Sequence, residues 1–318
     1  MPEPAIKTDG LTKRFGDILA VDDLDMHVEA GEVYGFLGPN GAGKSTTINL
    51  LLNYSHPTAG DARLLGHDAR AESLAIRERI GILPEGAELY PRLTGREHVE
   101  LAADTKGVIV DPDTILARVD LDTEDRDRRV DGYSKGMSQR LALGMALVGD
   151  PDLLILDEPS AGLDPTGMAD IREIIREEAA EGTTVFFSSH ILPEVEAVCD
   201  RVGILVEGRL VAEDTIENLR EISGVHPTVE FSLETVPGEL GLAEQEGVVA
   251  VEREGKEVTV TCRRPADKID VISHVGRQAT VSDVVATETS LEGLFEAYAS
   301  GETVESASDG EEPAEVVA

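Results

Sequence analysis

"GPNGAGKSTT", residues 38 to 47, decides how the rest of the chain is read. The pattern G-x-x-x-x-G-K-[ST] is met by Gly38, Gly43, Lys44 and Ser45. Glycines let the backbone turn its N–H groups inward on phosphate oxygens. The lysine reaches the β and γ phosphates, and the serine hydroxyl can ligate Mg²⁺. The pattern requires a strand before it and a helix after it. "GEVYGFLG" (31–38) is a short β-rich run, and "TTINLLLNY" (46–54) reads as a helix whose N-terminal end adds positive potential.

Outward from the loop, residues 5 to about 222 read as alternating strands and helices. "PDLLILDEP" (151–159) is a continuous apolar run ended by acids and proline, as a buried parallel strand would be. "TTVFFSSH" (183–190) and "RVGILVEGRLV" (201–211) read as two more strands. "DIREIIREEAAEG" (170–182) is an amphipathic helix stopped by Gly182. Such alternation predicts an α/β fold with a largely parallel sheet. Residues 86 to 150 are mostly helical in pattern and open on a capping box, Thr94 then Glu97, so they form a helical subdomain inserted in the α/β core.

After Gly224 the pattern changes. Strands are expected at 228–234, 248–254, 257–263 and 279–288, a short helix at 238–245 and a longer one at 265–276. That order, β-α-β-β-α-β, is ferredoxin-like and marks an accessory α+β domain over 224–300. A last helix is expected in "SLEGLFEAYA" (290–299), and the acidic tail 301–318 is expected to be disordered.

The chain has 318 residues, 63 acidic and 28 basic, for a formal net charge of −35. Only seven of the basic residues are lysine. Self-repulsion of that size weakens a compact state in dilute buffer and is tolerated when salt screens it, so the composition resembles that of cytosolic proteins from salt-accumulating halophiles. No basic face is visible to release counterions, and nucleic-acid binding is not expected. Phosphate can still bind, because amides, one lysine and a metal ion act within a few ångströms while distant acids are screened over about 10 Å. Aromatic residues make up 3%, which predicts a core of Leu, Ile, Val and Ala. Cys199 and Cys262 lack metal-ligand spacing and read as structural thiols. The N-terminus has no apolar core of a signal peptide, and no apolar run approaches the ~20 residues of a membrane span.

The second chemical element is "LLILDEP". Asp157 at the strand end is placed to hold Mg²⁺ through water, and Glu158 to act on the attacking water as general base. Two acids after a strand can equally form a helix-capping turn; the phosphate loop upstream favours the chemical reading. Three further segments complete the set: "YSKGMSQR" (133–140) before this strand, "SAGLDP" (160–165) directly after Glu158, and "SSHIL" (188–192) at the end of the next strand. With these five segments at this spacing, residues 5 to about 222 resemble an ABC (ATP-binding cassette) ATPase, a P-loop NTPase fold with a helical subdomain. The resemblance implies that ATP binds along Gly38, Pro39, Asn40, Gly41, Ala42, Gly43, Lys44, Ser45 and Thr46, with Mg²⁺ at Ser45, Asp157 and Glu85. It implies that Phe15 stacks on adenine and that Lys44, Glu158 and the switch histidine His190 serve hydrolysis. Ser134, Lys135, Gly136 and Met137 form the signature loop, which closes on the ATP of a partner cassette. Asp164 links the two sites across the dimer.

Two departures stand out. The signature reads Tyr-Ser-Lys-Gly-Met where Leu-Ser-Gly-Gly-Gln is common, so Lys135 replaces a glycine and Met137 a glutamine. Glu85 stands where the family usually has glutamine; it is a hard oxygen ligand or a residue pointing to solvent. The other histidines, His27, His56, His67, His98, His226 and His274, are read as surface or packing residues. The resemblance implies a nucleotide-binding subunit that pairs with a second cassette, lies on the inner face of the cell membrane and drives a separate permease. "LTGREHVE" and the C-terminal appendix point to the ABC-2 type, drug-exporter-like subfamily. The alternative is a soluble ABC ATPase acting on ribosomes or iron–sulfur assembly. A small-molecule kinase would leave residues 133–140 and 160–165 unexplained.

Overall fold

The computed structural model describes residues 3–222, 226–235, 240–264 and 266–287. The chain begins with a hairpin of β1 (Ile6–Phe15) and β2 (Ile18–Val28), paired antiparallel from Ile6 opposite Val28 to Phe15 opposite Ile18. β3 (Val33–Leu37), buried along its whole length, enters the phosphate loop, and α1 (Lys44–Leu51) leaves it. β4 (Ala59–Leu64) and β5 (His67–Asp68) return to the hairpin and complete an antiparallel sheet ordered β2-β1-β4-β5. The alternation read from the sequence does not anticipate this sheet. Its strands are only half buried, and their solvent-facing Asp, Lys and Arg hide the apolar face.

α2 (Ser73–Arg79) and β6 (Ile80–Leu83) precede the helical stretch. That stretch holds α3 (Gly95–Lys106), α4 (Pro112–Arg118), the single turn α5 (Thr123–Arg126) and α6 (Lys135–Leu147). The capping box forms as expected: Thr94 accepts from the Glu97 N–H, and Glu97 reaches back to the Thr94 N–H. β7 (Leu153–Asp157), α7 (Pro165–Ala180), β8 (Thr184–Ser189), α8 (Leu192–Val198), β9 (Arg201–Val206), β10 (Arg209–Thr215) and α9 (Ile216–Ile222) follow. The second sheet is ordered β10-β9-β3-β8-β7-β6. Its strands pair in parallel except for the edge strand β10.

One strand expectation is corrected. Residues 201–211 read as a single strand, but Glu207 and Gly208, at φ 49° and 84°, make a two-residue turn that splits the run into β9 and β10. Positive φ at both central positions suits the right-handed twist of a hairpin, and Glu-Gly is a turn signal easily lost between valines. The core is built mainly of Leu, Ile, Val and Ala, as expected, with three aromatic rings at its centre. Tyr34 on β3 stacks on Phe186 of β8 at 5.8 Å, and Phe36 lies 5.3 Å from the same ring. These three rings pack in one cluster with Leu24, Val28, Leu50, Leu51 and Leu205. Burial raises the pKa of both thiols, Cys199 and Cys262, which suits packing residues.

The chain divides into two compact units between Ile216 and Glu217, at the start of α9. In the second unit β11 (Thr228–Leu233), β12 (Val248–Glu254), β13 (Glu257–Cys262), α10 (Asp267–Gln278) and β14 (Val281–Thr287) form an antiparallel sheet ordered β12-β13-β11-β14. That is the ferredoxin-like strand order, built on a core of Val229, Phe231, Val258, Val260, Val271 and Val275. Where a helix is expected at 238–245, the described part is a 3₁₀ turn, Leu242–Glu244. The expected helix 290–299 and the tail 301–318 lie outside the described residues.

Candidate active site

Gly38 closes β3, and its backbone passes so near β9 that a Cβ there would lie 2.5 Å from the Leu205 carbonyl oxygen. Gly43 has φ 111°, and its Cβ would lie 2.4 Å from the Ala20 carbonyl oxygen. Any side chain at either position would push the loop off its supports, so these glycines are fixed by close approach as well as by conformation. The loop lines a cleft of about 440 Å³ with Pro39, Asn40, Gly41, Gly43, Lys44, Ser45 and Thr46. Glu85 and Glu158 line the same cleft. Ala42 is buried behind it and accepts from the Gly208 N–H at 2.8 Å.

Lys44 Nζ donates to the carbonyl oxygens of Gly38 (2.7 Å) and Pro39 (3.3 Å), and lies 3.2 Å from Glu158 Oε1. Both side chains are buried. The ammonium is therefore held among loop carbonyls and paired with a carboxylate that offsets its charge. Glu158 follows β7 at φ 50°, a left-handed conformation that costs a non-glycine residue on the order of 1 kcal/mol or more and clusters at functional sites. Ser188, buried at the end of β8, holds this turn. Its hydroxyl donates to Asp157 Oδ1 at 2.6 Å and accepts the Glu158 N–H at 3.0 Å. On the far side, His190 Nδ1 lies 2.8 Å from Glu158 Oε2. One carboxylate is thus gripped between Lys44 and His190, while its neighbour Asp157 is oriented by serine.

The remaining expected residues lie elsewhere on the unit. Phe15 is exposed and does not line the cleft; Lys13 Nζ stands 4.7 Å from the Phe15 ring centroid, and Ile18, the cross-strand partner of Phe15, lines the cleft with Leu19 and Ala20. Ser134, Lys135, Gly136 and Met137 start α6, where Ser134 Oγ accepts the Met137 N–H at 3.2 Å. Lys135 Nζ rests against Gly162, so close that a Cβ at 162 would lie 2.0 Å from it. Asp164 caps α7, accepting the Gly167 N–H at 3.2 Å. None of these lines the cleft of its own chain.

Sequence reasoning misses four supports of the cleft: Ser188, the Glu207–Gly208 turn that lines it, Gln139, whose amide donates to the Pro159 carbonyl at 2.7 Å, and Glu194, which accepts from Ser189 at 2.9 Å. The only signal for Ser188 and Ser189 is their polarity at the end of an apolar strand. Ser45 and Glu85 line the cleft and carry hard oxygen donors of the kind Mg²⁺ takes, whereas Asp157 does not line it and has Oδ1 engaged by Ser188. Among the described residues no helix is long and apolar enough to cross a membrane.

Comparison with known proteins agrees with this geometry. The ABC transporter family model matches residues 21–161. A daunorubicin resistance ATP-binding protein of Streptomyces coeruleorubidus is 39% identical over 229 residues, 70% of this chain and 72% of that protein. A bacitracin transport ATP-binding protein of Bacillus licheniformis is 36% identical over 316 residues, 94% of this chain and 98% of that one. Among solved structures, an ATP-binding subunit of an ABC transporter superimposes with a TM-score of 0.61 at 30% identity, covering 68% of this chain and 92% of that one. A dimeric cassette in a post-hydrolysis state bound to ADP and Pi gives 0.61 at 25% identity, covering 66% and 98%. A phosphate loop, an acid pair held by serine, a histidine on the second acid and relatives of this extent place the chain in the family of ABC transporter ATP-binding subunits.

Proposed function

We propose that this ATPase powers a separate membrane permease that exports organic molecules, as an ABC-2 type exporter subunit bound to the inner face of the membrane. The observation that carries this reading is the extent of the match to the bacitracin transport relative. It runs through 316 residues and so includes the second unit as well as the cassette. Relatives named for daunorubicin resistance and Nod factor export point the same way.

In the proposed cycle ATP enters the cleft with Mg²⁺, which supplies charge neutralisation at the phosphates when bound. Lys44 leaves its carbonyl partners for the β and γ phosphates, and the amides from Gly41 to Thr46 surround the chain of phosphates. Ser45, Asp157 and Glu85 are the residues that would hold the metal. Glu158, freed from Lys44, takes a proton from the attacking water, and His190 keeps its carboxylate oriented. Phe15 stacks on the base once Lys13 yields its face. Ser134, Lys135, Gly136 and Met137 complete the site of a second cassette, and Asp164 couples the two.

Glu158→Gln keeps the shape of the side chain and removes the base. Turnover is expected to fall at least about 100-fold, the lower end of what general-base catalysis supplies, while ATP still binds and dimer accumulates. Tagged Glu158→Gln protein, loaded with ATP and Mg²⁺ in molar KCl, is expected to co-purify with a multi-span membrane protein. Recovery of ribosomes or soluble assembly factors instead would replace the transporter reading with the soluble one.

A further inference from the structure

His190 is 42% exposed, and its one hydrogen bond among the described residues is the one to Glu158. Its ring therefore cannot fix its own position. The backbone on either side must do so. Ser189 does this through three bonds: its carbonyl accepts the Gly38 N–H at 3.2 Å, its hydroxyl accepts the Ile191 N–H at 3.0 Å, and the same hydroxyl donates to Glu194 Oε2 at 2.9 Å. Residues 189 and 191 are thus clipped together around His190, and Glu194 closes the clip.

Glu194 is an expensive residue for this task. It is 5% exposed, and its other oxygen, Oε1, is buried without a well-formed hydrogen bond. Burial pushes its carboxyl pKa up, against the pull of the Ser189 and Ser160 hydroxyls and the nearby Arg172 charge. Arg172 Nε, on α7, is likewise buried without a partner. A simple clip for the first turn of α8 would need only an exposed serine or threonine. A half-satisfied buried carboxylate costs stability and is retained where it serves the site. Its hydroxyl partners also belong to chemically placed segments, Ser189 beside His190 and Ser160 two residues after Glu158.

We propose that Glu194 is a positioning residue for ATP hydrolysis, holding Ser189 so that His190 meets Glu158. The proposal rests on the hydrolytic roles given above to His190 and Glu158. Glu194 does not line the cleft and acts through Ser189, so its loss acts on turnover and spares ATP affinity. Glu194→Ala is expected to lower kcat about tenfold with KM for ATP within about twofold. Ser189→Ala, a smaller packing change, gives the same loss. Glu194→Gln keeps an oxygen for the Ser189 hydroxyl and restores at least about half of the lost turnover.

The deciding experiment is a double-mutant cycle measured as kcat per ATP-binding site. In the His190→Ala background, adding Glu194→Ala is expected to cost nothing further. An equal fold-loss in both backgrounds, or a loss carried by KM, would overturn the proposal and leave Glu194 a structural residue of α8. Wild-type turnover in His190→Ala alone would instead remove the role of His190, and with it the reason for the clip.

Discussion

Lys44 and Glu158 hold opposite charges 3.2 Å apart in a cleft where water reaches neither freely. Each is the cheapest counterion for the other, so ATP must displace one charge to use the second. Glu85 alters this balance. It lines the same cleft as a third carboxylate, together with Glu158 and Glu207. Glu85 is exposed, so its repulsion is screened and amounts to about 1 kcal/mol at a few ångströms. Glu85→Gln is therefore expected to lower KM for ATP about fivefold at limiting Mg²⁺, with the gain shrinking as Mg²⁺ saturates. Titrating ATPase activity against Mg²⁺ for both proteins checks this. An unchanged KM at every Mg²⁺ concentration would mean that the carboxylate points away from the nucleotide.

At the scale of elements, the loops that matter are fixed by the helices and strands they join. Asp164 illustrates two demands on one side chain, since it caps α7 in its own chain and is the residue proposed to couple two sites. The demands separate by substitution. Asparagine caps as well as aspartate, whereas alanine loses about 1 kcal/mol. Asp164→Asn is expected to keep the melting temperature and lose cooperativity in ATP; Asp164→Ala loses both. Full cooperativity in the asparagine variant would confine Asp164 to its cap. Elements whose whole signal is local were legible in the sequence: the phosphate loop, the Thr94–Glu97 capping box, the buried run at β7 and the four strands of the second unit. Elements set by distant partners were not. The sheet β2-β1-β4-β5 depends on a pairing between residues 6–15 and 59–64, and the Ser188 support reaches across 31 residues to Asp157. No periodicity within β8 announces such a bond. The split of residues 201–211 failed for the opposite reason: a two-residue turn is too short to interrupt an apolar pattern.

At the scale of the whole molecule, 63 acids against 28 bases leave a formal net charge of −35, a surplus of carboxylates that repel one another. Several arginines are already committed: Arg96 binds Asp113 and Asp127, Arg118 binds Asp150 and Glu178, and Arg201 binds Glu32 and Glu213. The surplus acids have no protein cation left to meet them, and only solution ions can lower their mutual energy. Screening shortens from about 10 Å at 0.1 M salt to about 3 Å at 1 M, below the spacing of most surface charges. The melting temperature is therefore expected to rise by several degrees between 0.1 and 1 M KCl and to level off above that, because little repulsion remains to be screened. Sucrose, which favours compact states without carrying charge, separates this effect from general exclusion. A melting temperature that is flat in KCl would show that the acids are already spaced beyond one another's reach, and would remove the charge argument for a salt-rich cytosol. A rise that continues steadily past 2 M would point to specific ion binding rather than screening, since a screened Coulomb term has nothing further to give at that concentration.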